Sequence, residues 1–346
     1  MKTSATIRDV AKAAGVSTAT VSRVVNGQVA TRPETAERVN AAIQALGFRP
    51  NAMGRSLKTA RTRTFGVMIP SLSNPVFADV VAGLQEAAQA AGYSVLMTSN
   101  NYRPEAEDHA VDTMLSHQVE GLVLTVADAD ESALLDRLDR ERVPYVLLHN
   151  HPTSRNCSAI TVDNAAAGQV VAREMIRLGH RRLGMVAGAF SASDRSRARY
   201  VGFARDIEVA GLAPPVLAEV DFIQDRVTQA IAELYGASDA PTALFCSTDL
   251  LAISVIGALR RLDISVPEEV SVVGFDGIAF GQLTHPSLAT VVQPTRDMGQ
   301  AAIQHLLGRL AGGSQPRVHL LPTVFRSGGS LGPVASPDRA ARRPHA

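Results

Sequence analysis

A short stretch near the start of the chain combines small hydroxyl side chains with one arginine on a single predicted helix. Val21, Val24 and Val25 fall on one face of that helix, which leaves a polar face opposite. The polar face carries Ser17, Thr18, Ala19, Ser22, Arg23 and Asn26. A guanidinium can pair with guanine O6 and N7 in the DNA major groove, while Ser and Asn can bond to phosphates. The pattern predicts a DNA-reading surface; the solvated face of an ordinary three-helix bundle is the alternative.

Two further helices are expected to hold this surface. Helical spacing of apolar residues predicts a first helix that begins after Thr6, a candidate N-cap, and stops at Gly15. A third begins at Pro33 and stops at Gly47. The inward faces are Ile7, Val10, Ala11, Ala14, Val21, Val24, Val25, Val39, Ala42, Ile43 and Leu46. Two short helices joined by a tight Gly-containing turn form a helix-turn-helix pattern, which places residues 5–47 in one small all-α domain.

The charge of the chain is divided unevenly along its length. The whole 346-residue sequence has a net charge of +1. Residues 1–63 hold eleven Lys and Arg against three acids, a net charge of +8, so the remainder carries −7. Within this basic part, residues 48–63 are nearly free of acids and can form only one or two helical turns, which are marginal in water. We expect them to be a linker that orders against a partner, with a plain solvated spacer as the alternative.

Beyond residue 63 the sequence alternates between apolar strands and helix-length segments. The predicted strands are 64–69, 93–97, 121–126, 144–148, 182–188, 243–246 and 270–275. Continuous apolar strands separated by helices indicate parallel sheets covered on both faces. The pattern predicts two similar α/β lobes with doubly wound parallel sheets, which meet near residue 163. Ligands bind at the carboxyl ends of such strands, which here means the cleft between the lobes.

Polar and aromatic residues follow several of these predicted strands. They are residues 74–77, the arginines Arg195, Arg197 and Arg199, the pair Thr248 and Asp249, and Asp276. Carboxylates and guanidinium groups can bond to ligand hydroxyls while an aromatic ring covers an apolar face, which predicts a carbohydrate-like ligand. Three close arginines also suggest an anionic ligand such as a sugar acid, unless acids of the chain neutralise them. Solvent-facing positions for Arg195 and Arg197, and a core position for Phe77, are the alternatives.

The segments TIRDVAKAAGVSTATVSRVVNG and PETAERVNAAIQALGFRPN strongly resemble the lactose/galactose repressor (LacI/GalR) family of bacterial transcription regulators. Body segments such as PTALFCSTDLLA and VPEEVSVVGFDG extend the similarity over about residues 5–330. The resemblance implies a helix-turn-helix head on a periplasmic-binding-protein-like core. It implies a core at 64–330, with lobe 1 at about 64–163 plus 293–325 and lobe 2 at about 164–292. Residues 331–346 are expected to be a disordered tail.

Carried over by position, the resemblance implies individual roles. Thr18 and Ala19 occupy the base-reading pair, Arg23 the base-contacting arginine, and Ser17, Ser22 and Asn26 phosphate positions. Residues 51–58 match a hinge helix in which Leu57 wedges into the minor groove, with Asn51 and Arg55 also at the DNA. The implied effector contacts are Phe77, Ser193, Arg199, Asp249 and Asp276. Two departures are Gly54, where the family more often has Ala, and Arg32, where Ser commonly caps the third helix.

Other functional classes find less support in the sequence. There is no apolar run long enough to span a membrane and no signal-peptide pattern, so a cytoplasmic protein is expected. Cys157 and Cys246 lack the spacing of a zinc site or disulfide, and His149-Asn150-His151 lacks the surroundings of an HNH nuclease. No catalytic constellation or nucleotide-binding glycine loop is present, so we expect no enzyme and no cofactor. A sugar-binding protein without a DNA role is the main alternative.

The prediction is therefore a regulator, most simply a repressor, that binds palindromic double-stranded operator DNA as a homodimer. One head covers only half of a two-fold-symmetric site, which is why two copies are expected. A sugar or sugar acid in the cleft between the lobes is expected to control operator binding.

Overall fold

The computed structural model describes residues 5–25, 31–48, 61–221, 226–313, 315 and 317–334. The chain divides into two compact units between Thr62 and Arg63, called here the head and the body. The expected DNA contacts Asn26, Asn51, Arg55 and Leu57 lie outside the described residues, as does Gly54. Residues 335–346 of the predicted tail lie outside them too.

The described part of the head contains three helices, α1 (Ile7–Ala14), α2 (Thr18–Val25) and α3 (Pro33–Leu46), close to their predicted positions. Thr6 caps α1 reciprocally with Asp9: the Asp9 N–H donates to Thr6 Oγ1, and Asp9 Oδ2 accepts from the Thr6 N–H at 2.8 Å. Val10, Val21 and Val39 form a fully buried centre. Leu46 does not join it, because its side chain lies at the end of α3 and is 41% exposed.

The start of α3 lacks the usual side-chain cap. Arg32 occupies the N-cap position and makes no side-chain cap hydrogen bond. The Thr31 hydroxyl is buried without a hydrogen-bond partner among the described residues, so it does not take over that role. Pro33 at the first helical position, with its preset φ, and the acidic Glu34 remain to favour the helix start.

The body contains two six-stranded sheets and eight α-helices within its described residues. Strands β1 to β12 are Thr64–Ile69, Ser94–Ser99, Gly121–Leu124, Tyr145–Leu148, Ala159–Val162, Leu183–Gly188, Val216–Val220, Ala243–Cys246, Ser271–Asp276, Ala289–Val292, Val318–Leu321 and Val324–Arg326. Helices α4 to α11 are Pro75–Ala90, Glu107–Ser116, Ala133–Glu141, Asn164–Arg177, Asp194–Val209, Val227–Tyr235, Asp249–Arg261 and Thr295–Leu310.

The two sheets define the two predicted lobes. Lobe 1 has the strand order β11-β5-β4-β3-β1-β2, and lobe 2 has the order β12-β10-β9-β8-β6-β7. All neighbouring strands are parallel except β12, which runs antiparallel to β10. The predicted pair of doubly wound α/β lobes is confirmed. Since neighbouring parallel strands end at the same edge, each lobe presents its strand carboxyl ends and helix starts together.

Two predicted boundaries near the end of the chain are wrong. Residues 324–326 belong to lobe 2 rather than lobe 1, because Phe325 of β12 pairs with Val291 of β10. The body also continues past residue 330 to Val334. The Gly332 N–H donates to Ser271 Oγ at 3.1 Å, and the Val334 N–H donates to the Leu178 carbonyl at 3.1 Å. These bonds hold the start of the predicted tail against lobe 2.

Glycines allow pairs of helices to touch backbone to backbone in both lobes. In lobe 2, a Cβ added to Gly202 of α8 would lie 1.9 Å from the Ala165 carbonyl oxygen, and one added to Gly168 of α7 would lie 2.2 Å from the Arg199 carbonyl oxygen. In lobe 1, Gly83 of α4 and Gly299 of α11 make the same kind of crossing. Each of these helices starts at the carboxyl end of a strand. The crossings therefore fix the helix starts that face the cleft.

We expect Gly202→Ala to lower the free energy of unfolding of the body by about 1–3 kcal/mol, because the new methyl group overlaps the carbonyl of Ala165. Gly257→Ala in α10 is the matched control, since its Cβ would meet only the Arg261 side chain at 3.9 Å. That control should be neutral or more stable by up to about 1 kcal/mol. Urea unfolding of both variants measures the difference, and equal stabilities would refute the backbone crossing.

Candidate functional site

The polar face of α2 points outward, as the sequence predicts. Ser17, Thr18, Ala19 and Arg23 are exposed, and Ser22 is half-buried. Ser17 also caps the helix, since its hydroxyl accepts from the Thr20 N–H at 3.2 Å. The start of α2 is thereby fixed while the short side chains beside it stay accessible. Contact of these residues with DNA remains a prediction.

The body has a cleft at the point where strand carboxyl ends of both lobes converge. The cavity within it has a volume of about 30 Å³. The lining residues are Asn74, Val76, Phe77, Tyr102, His149, Ser193, Arg195, Ser196, Arg199, Thr248, Asp276 and Gln293. Four of the five predicted effector contacts are among them: Phe77, Ser193, Arg199 and Asp276.

Arg199 lies at the base of the cleft with only 5% of its surface exposed. Its Nε donates to Asn164 Oδ1 at 2.8 Å, and Nη1 donates to the Ser247 carbonyl. The guanidinium carbon lies 3.4 Å from the ring centroid of Phe275, a cation–π contact. Burial lowers the pKa of Arg199 to about 10, against the opposing effect of the Asp276 charge. The side chain therefore stays protonated at neutral pH and fixed in direction.

Asp276 ends β9 and also lies in the cleft, 5% exposed. Burial raises its pKa to about 7, although the charge of Arg199 works in the opposite direction. Oδ1 accepts from Gln293 Nε2 at 2.9 Å, whereas Oδ2 is buried without a partner among the described residues. Its backbone φ of +128° is unusual for a residue with a side chain and marks local strain.

Three buried polar atoms of the cleft make no hydrogen bond of standard geometry within the described part of the chain: Asp276 Oδ2, Gln293 Oε1 and His149 Nε2. Weaker side-chain contacts join His149 to Gln293 and Asp276 to Asn74. Burial and the nearby arginine charges lower the pKa of His149 to about 3, so its imidazole is neutral. An unpaired buried polar group costs about 1–3 kcal/mol. A ligand that supplies hydrogen bonds to these atoms would remove that cost.

Asp249 does not line the cleft, so the predicted effector contact there is wrong. Its side chain is fully buried, and Oδ2 accepts from the backbone N–H groups of Gly277 and Ile278, both at 2.8 Å. Oδ1 accepts from the Thr290 hydroxyl. The carboxylate is saturated by the loop that follows Asp276. Asp249 therefore positions Asp276 instead of reaching the ligand.

Carboxylates of the chain pair with two of the three arginines on α8. Arg195 is buried and its Nη1 lies 3.0 Å from Asp194 Oδ1, and Nη2 of the half-exposed Arg197 lies 2.5 Å from Asp128 Oδ2. The third, Arg199, bonds to neutral groups, and the Asp276 charge acts on it without an ion pair. The two ion pairs reduce the positive charge on which the expectation of a sugar acid rests.

The start of α8 also joins the two lobes beside the cleft. The Asp194 N–H donates to the Ala127 carbonyl at 2.8 Å, and Asp194 Oδ2 accepts from Asn150 Nδ2 at 2.8 Å. Arg195 Nη1 donates to the Val126 carbonyl at 2.7 Å. Arg195 therefore belongs both to the lining of the cleft and to the contact between the lobes.

Comparisons with known proteins agree with this architecture. Residues 6–51 match the model of bacterial regulatory proteins of the lacI family, and residues 172–331 match a periplasmic binding protein-like domain. The chain is 32% identical over 305 residues to catabolite control protein A of Priestia megaterium, covering 87% of this chain and 91% of that protein. The chain belongs to the LacI family. It is a DNA-binding transcriptional repressor with a ligand-binding domain.

Solved structures of transcription regulators have a similar fold. A lac repressor dimer bound to operator and the anti-inducer ONPF matches with a TM-score of 0.85 at 26% identity, covering 95% of this chain and 99% of that one. The transcriptional regulator CelR in complex with cellobiose matches with a TM-score of 0.71 at 28% identity, covering 94% and 100%. These matches are to transcription regulators rather than enzymes. No helix in the described part of the chain has the length and apolar character needed to cross a membrane.

Sequence reasoning on this LacI-family chain missed several cleft residues. His149 directly follows β4, Gln293 directly follows β10, and Tyr102 follows β2. Asp276 was identified because it comes at the end of a predicted parallel strand. The same signal could have identified His149. Arg195 does not face solvent: it is buried and lines the cleft, whereas Arg197 is exposed, as the alternative expectation for both residues predicts.

The raised pKa of Asp276 predicts how stability depends on pH. Between its ordinary value of 3.8 and about 7, the folded state keeps a proton that the unfolded chain releases. The free energy of unfolding therefore falls as pH rises through this window, by up to about 1.4 kcal/mol per pH unit for one proton. Asp276→Asn should make the slope shallower in urea unfolding at several pH values. The exposed control Asp239→Asn should keep the wild-type slope, and an unchanged slope in Asp276→Asn would refute the assignment.

Proposed function

We propose that this LacI-family repressor binds a palindromic operator as a homodimer and that a neutral, hydroxyl-rich small molecule in the cleft controls its operator affinity. The observation that carries the ligand proposal is the set of buried, unpartnered atoms on Asp276, Gln293 and His149. Asp276 Oδ2 and Gln293 Oε1 accept hydrogen bonds, and neutral imidazole can accept or donate. Sugar hydroxyls, which donate and accept, match this set.

Charge balance favours a neutral ligand over a sugar acid. Arg195 and Arg197 already pair with acids of the chain, and the positive charge of Arg199 acts on Asp276. Of the three arginines, only Arg199 remains to meet a ligand carboxylate, and Asp276, when ionised, opposes that charge. The aromatic ring of Phe77, held edge-on to His149 at 5.6 Å, offers an apolar surface for the carbon face of a sugar ring. The cellobiose complex of the structurally similar regulator CelR is consistent with this chemistry.

Exposed apolar side chains support a dimer of the body. Leu72 and Met97 are exposed on lobe 1, and Phe280, Leu283 and Val324 are exposed on lobe 2, with Leu283 81% exposed. Contiguous apolar side chains left in water mark surfaces that bind protein, and Leu72 and Met97 line one groove together with Val81. The lac repressor that this fold resembles is a dimer in its operator complex. A symmetric pair of bodies would place two heads on one palindrome.

On the DNA side, we assign base contacts to Thr18, Ala19 and Arg23, and phosphate contacts to Ser17 and Ser22. We assign Asn26, Asn51, Arg55 and Leu57 to the DNA as well, on the family resemblance alone. The outward polar face of α2 supports the first group. The net charge of +8 on residues 1–63 supports sequence-independent attraction to phosphates.

Selection of binding sequences from a randomised duplex pool tests the DNA proposal. We expect the intact chain to enrich a palindromic consensus, and enrichment of no consensus would contradict the proposal. Arg23→Ala should then weaken binding to that duplex by about 1–3 kcal/mol and relax one base position in each half-site. Arg38→Ala on the exposed face of α3 removes the same charge and should leave the base preference intact.

A thermal-shift screen that pairs each neutral sugar with its acid tests the ligand proposal. We expect a neutral sugar to stabilise the protein, by about 2.7 kcal/mol at 100 times its dissociation constant. Asp276→Asn should abolish the shift, whereas Asp239→Asn should keep it. Stabilisation by sugar acids alone would contradict a neutral ligand. Wild-type affinity of Asp276→Asn, measured by calorimetry, would remove Asp276 from the site.

A further inference from the structure

The chain enters the body through a residue with a constrained backbone. Arg63, the first residue of the body, has a φ of +48° in the left-handed region. Its carbonyl accepts from the Ser94 N–H at 2.9 Å, and its N–H donates to Glu120 Oε1 at 2.7 Å. Both backbone groups of the entry residue are therefore held by lobe 1. The entry direction of the chain is fixed before β1 begins.

Glu120 connects this entry residue to an aromatic side chain on the same sheet. Its second oxygen, Oε2, accepts from the Tyr93 hydroxyl at 2.9 Å, and its N–H donates to the Thr64 carbonyl at 2.8 Å. The Tyr93 ring stacks on Phe65 of β1, with centroids 4.4 Å apart and planes inclined by 10°. One carboxylate thus bonds the entry residue and a ring packed on the first strand.

The strands that start at this point end at the ligand cleft. Glu120 immediately precedes β3, which pairs in parallel with β1 in the register Phe65↔Gly121. After β1 the chain reaches Phe77 at the cleft, and after β3 it reaches Val126 at the contact between the lobes. Strands of four to six residues span about 13–20 Å. Two short, hydrogen-bonded strands therefore connect the entry point with the ligand site.

We propose that Glu120 and Tyr93 form an anchor, made of these two side chains, that positions the entry of the chain into the body for specific operator binding. This proposal rests on the proposed function, because it assigns the two residues an effect on DNA affinity. A specific complex needs each head in one register on the DNA, and orienting a loosely held chain costs conformational entropy. Non-specific binding tolerates many arrangements and depends on charge. Loosening the anchor therefore reduces specific affinity selectively.

The variants Glu120→Ala and Tyr93→Phe test the anchor. Glu120→Ala removes both acceptor oxygens, so the Arg63 N–H and the Tyr93 hydroxyl lose their partner, whereas Phe removes the hydroxyl alone. Glu141→Ala on the exposed end of α6 is the matched control. For the intact proteins, we measure affinity for the duplex selected by the wild type and for a random duplex of equal length. Amide hydrogen exchange at Arg63 reports on the anchor without DNA.

We expect both anchor variants to bind the selected duplex about three- to tenfold more weakly, with unchanged affinity for the random duplex. Glu120→Ala should also speed exchange at the Arg63 amide, and Glu141→Ala should match the wild type throughout. Wild-type affinity for the selected duplex, or an equal loss on both duplexes, would overturn the proposal. If the wild type selects no palindrome, the proposed function fails and this proposal fails with it. Slow Arg63 exchange in Glu120→Ala would instead overturn the anchor alone.

Discussion

The burial of the Arg199 guanidinium is the constraint on which the ligand site depends. A charge removed from water costs several kcal/mol unless the protein supplies compensating partners. Asn164 and the Ser247 carbonyl take its hydrogen bonds, the Phe275 ring covers one face, and the Asp276 carboxylate supplies an opposing charge. These partners come from α7 and from two strand ends of lobe 2. These groups are far apart in the sequence and meet only when lobe 2 is folded. The geometry of the site therefore depends on the stability of that lobe.

Residues that do not line the cleft hold Asp276 in position near the Arg199 guanidinium. Asp249 accepts both backbone N–H groups that follow Asp276, which holds the strained turn. Gly274 leaves room for the Asp249 carboxylate, since a Cβ there would lie 2.2 Å from Oδ1. The crossing of α7 and α8 at Gly168 and Gly202 sets the depth of Arg199. A site held in this way is rigid before a ligand arrives, which reduces the ordering cost of binding.

How much could be predicted from the sequence depended on how continuous each apolar pattern is. β8 was predicted at its observed bounds because its four residues are apolar and fully covered. β7 was not predicted, since it contains Glu219 and is largely open to water. The antiparallel strand β12 was not predicted either. Gln293 was missed because β10 was not predicted. Asp249 was misassigned since a sequence does not show whether a carboxylate faces a cavity or the backbone N–H groups beside it.

We propose that ligand binding in the cleft and operator binding by the head are coupled. Arg195 can contribute to this coupling, because it lines the cleft and its Nη1 donates to the Val126 carbonyl of lobe 1. The most direct measurement is operator affinity, determined by titration with and without a saturating sugar that binds the cleft. A change of about fivefold or more, in either direction, is the result that this account predicts. A sugar that binds through Asp276 and leaves operator affinity unchanged would contradict it.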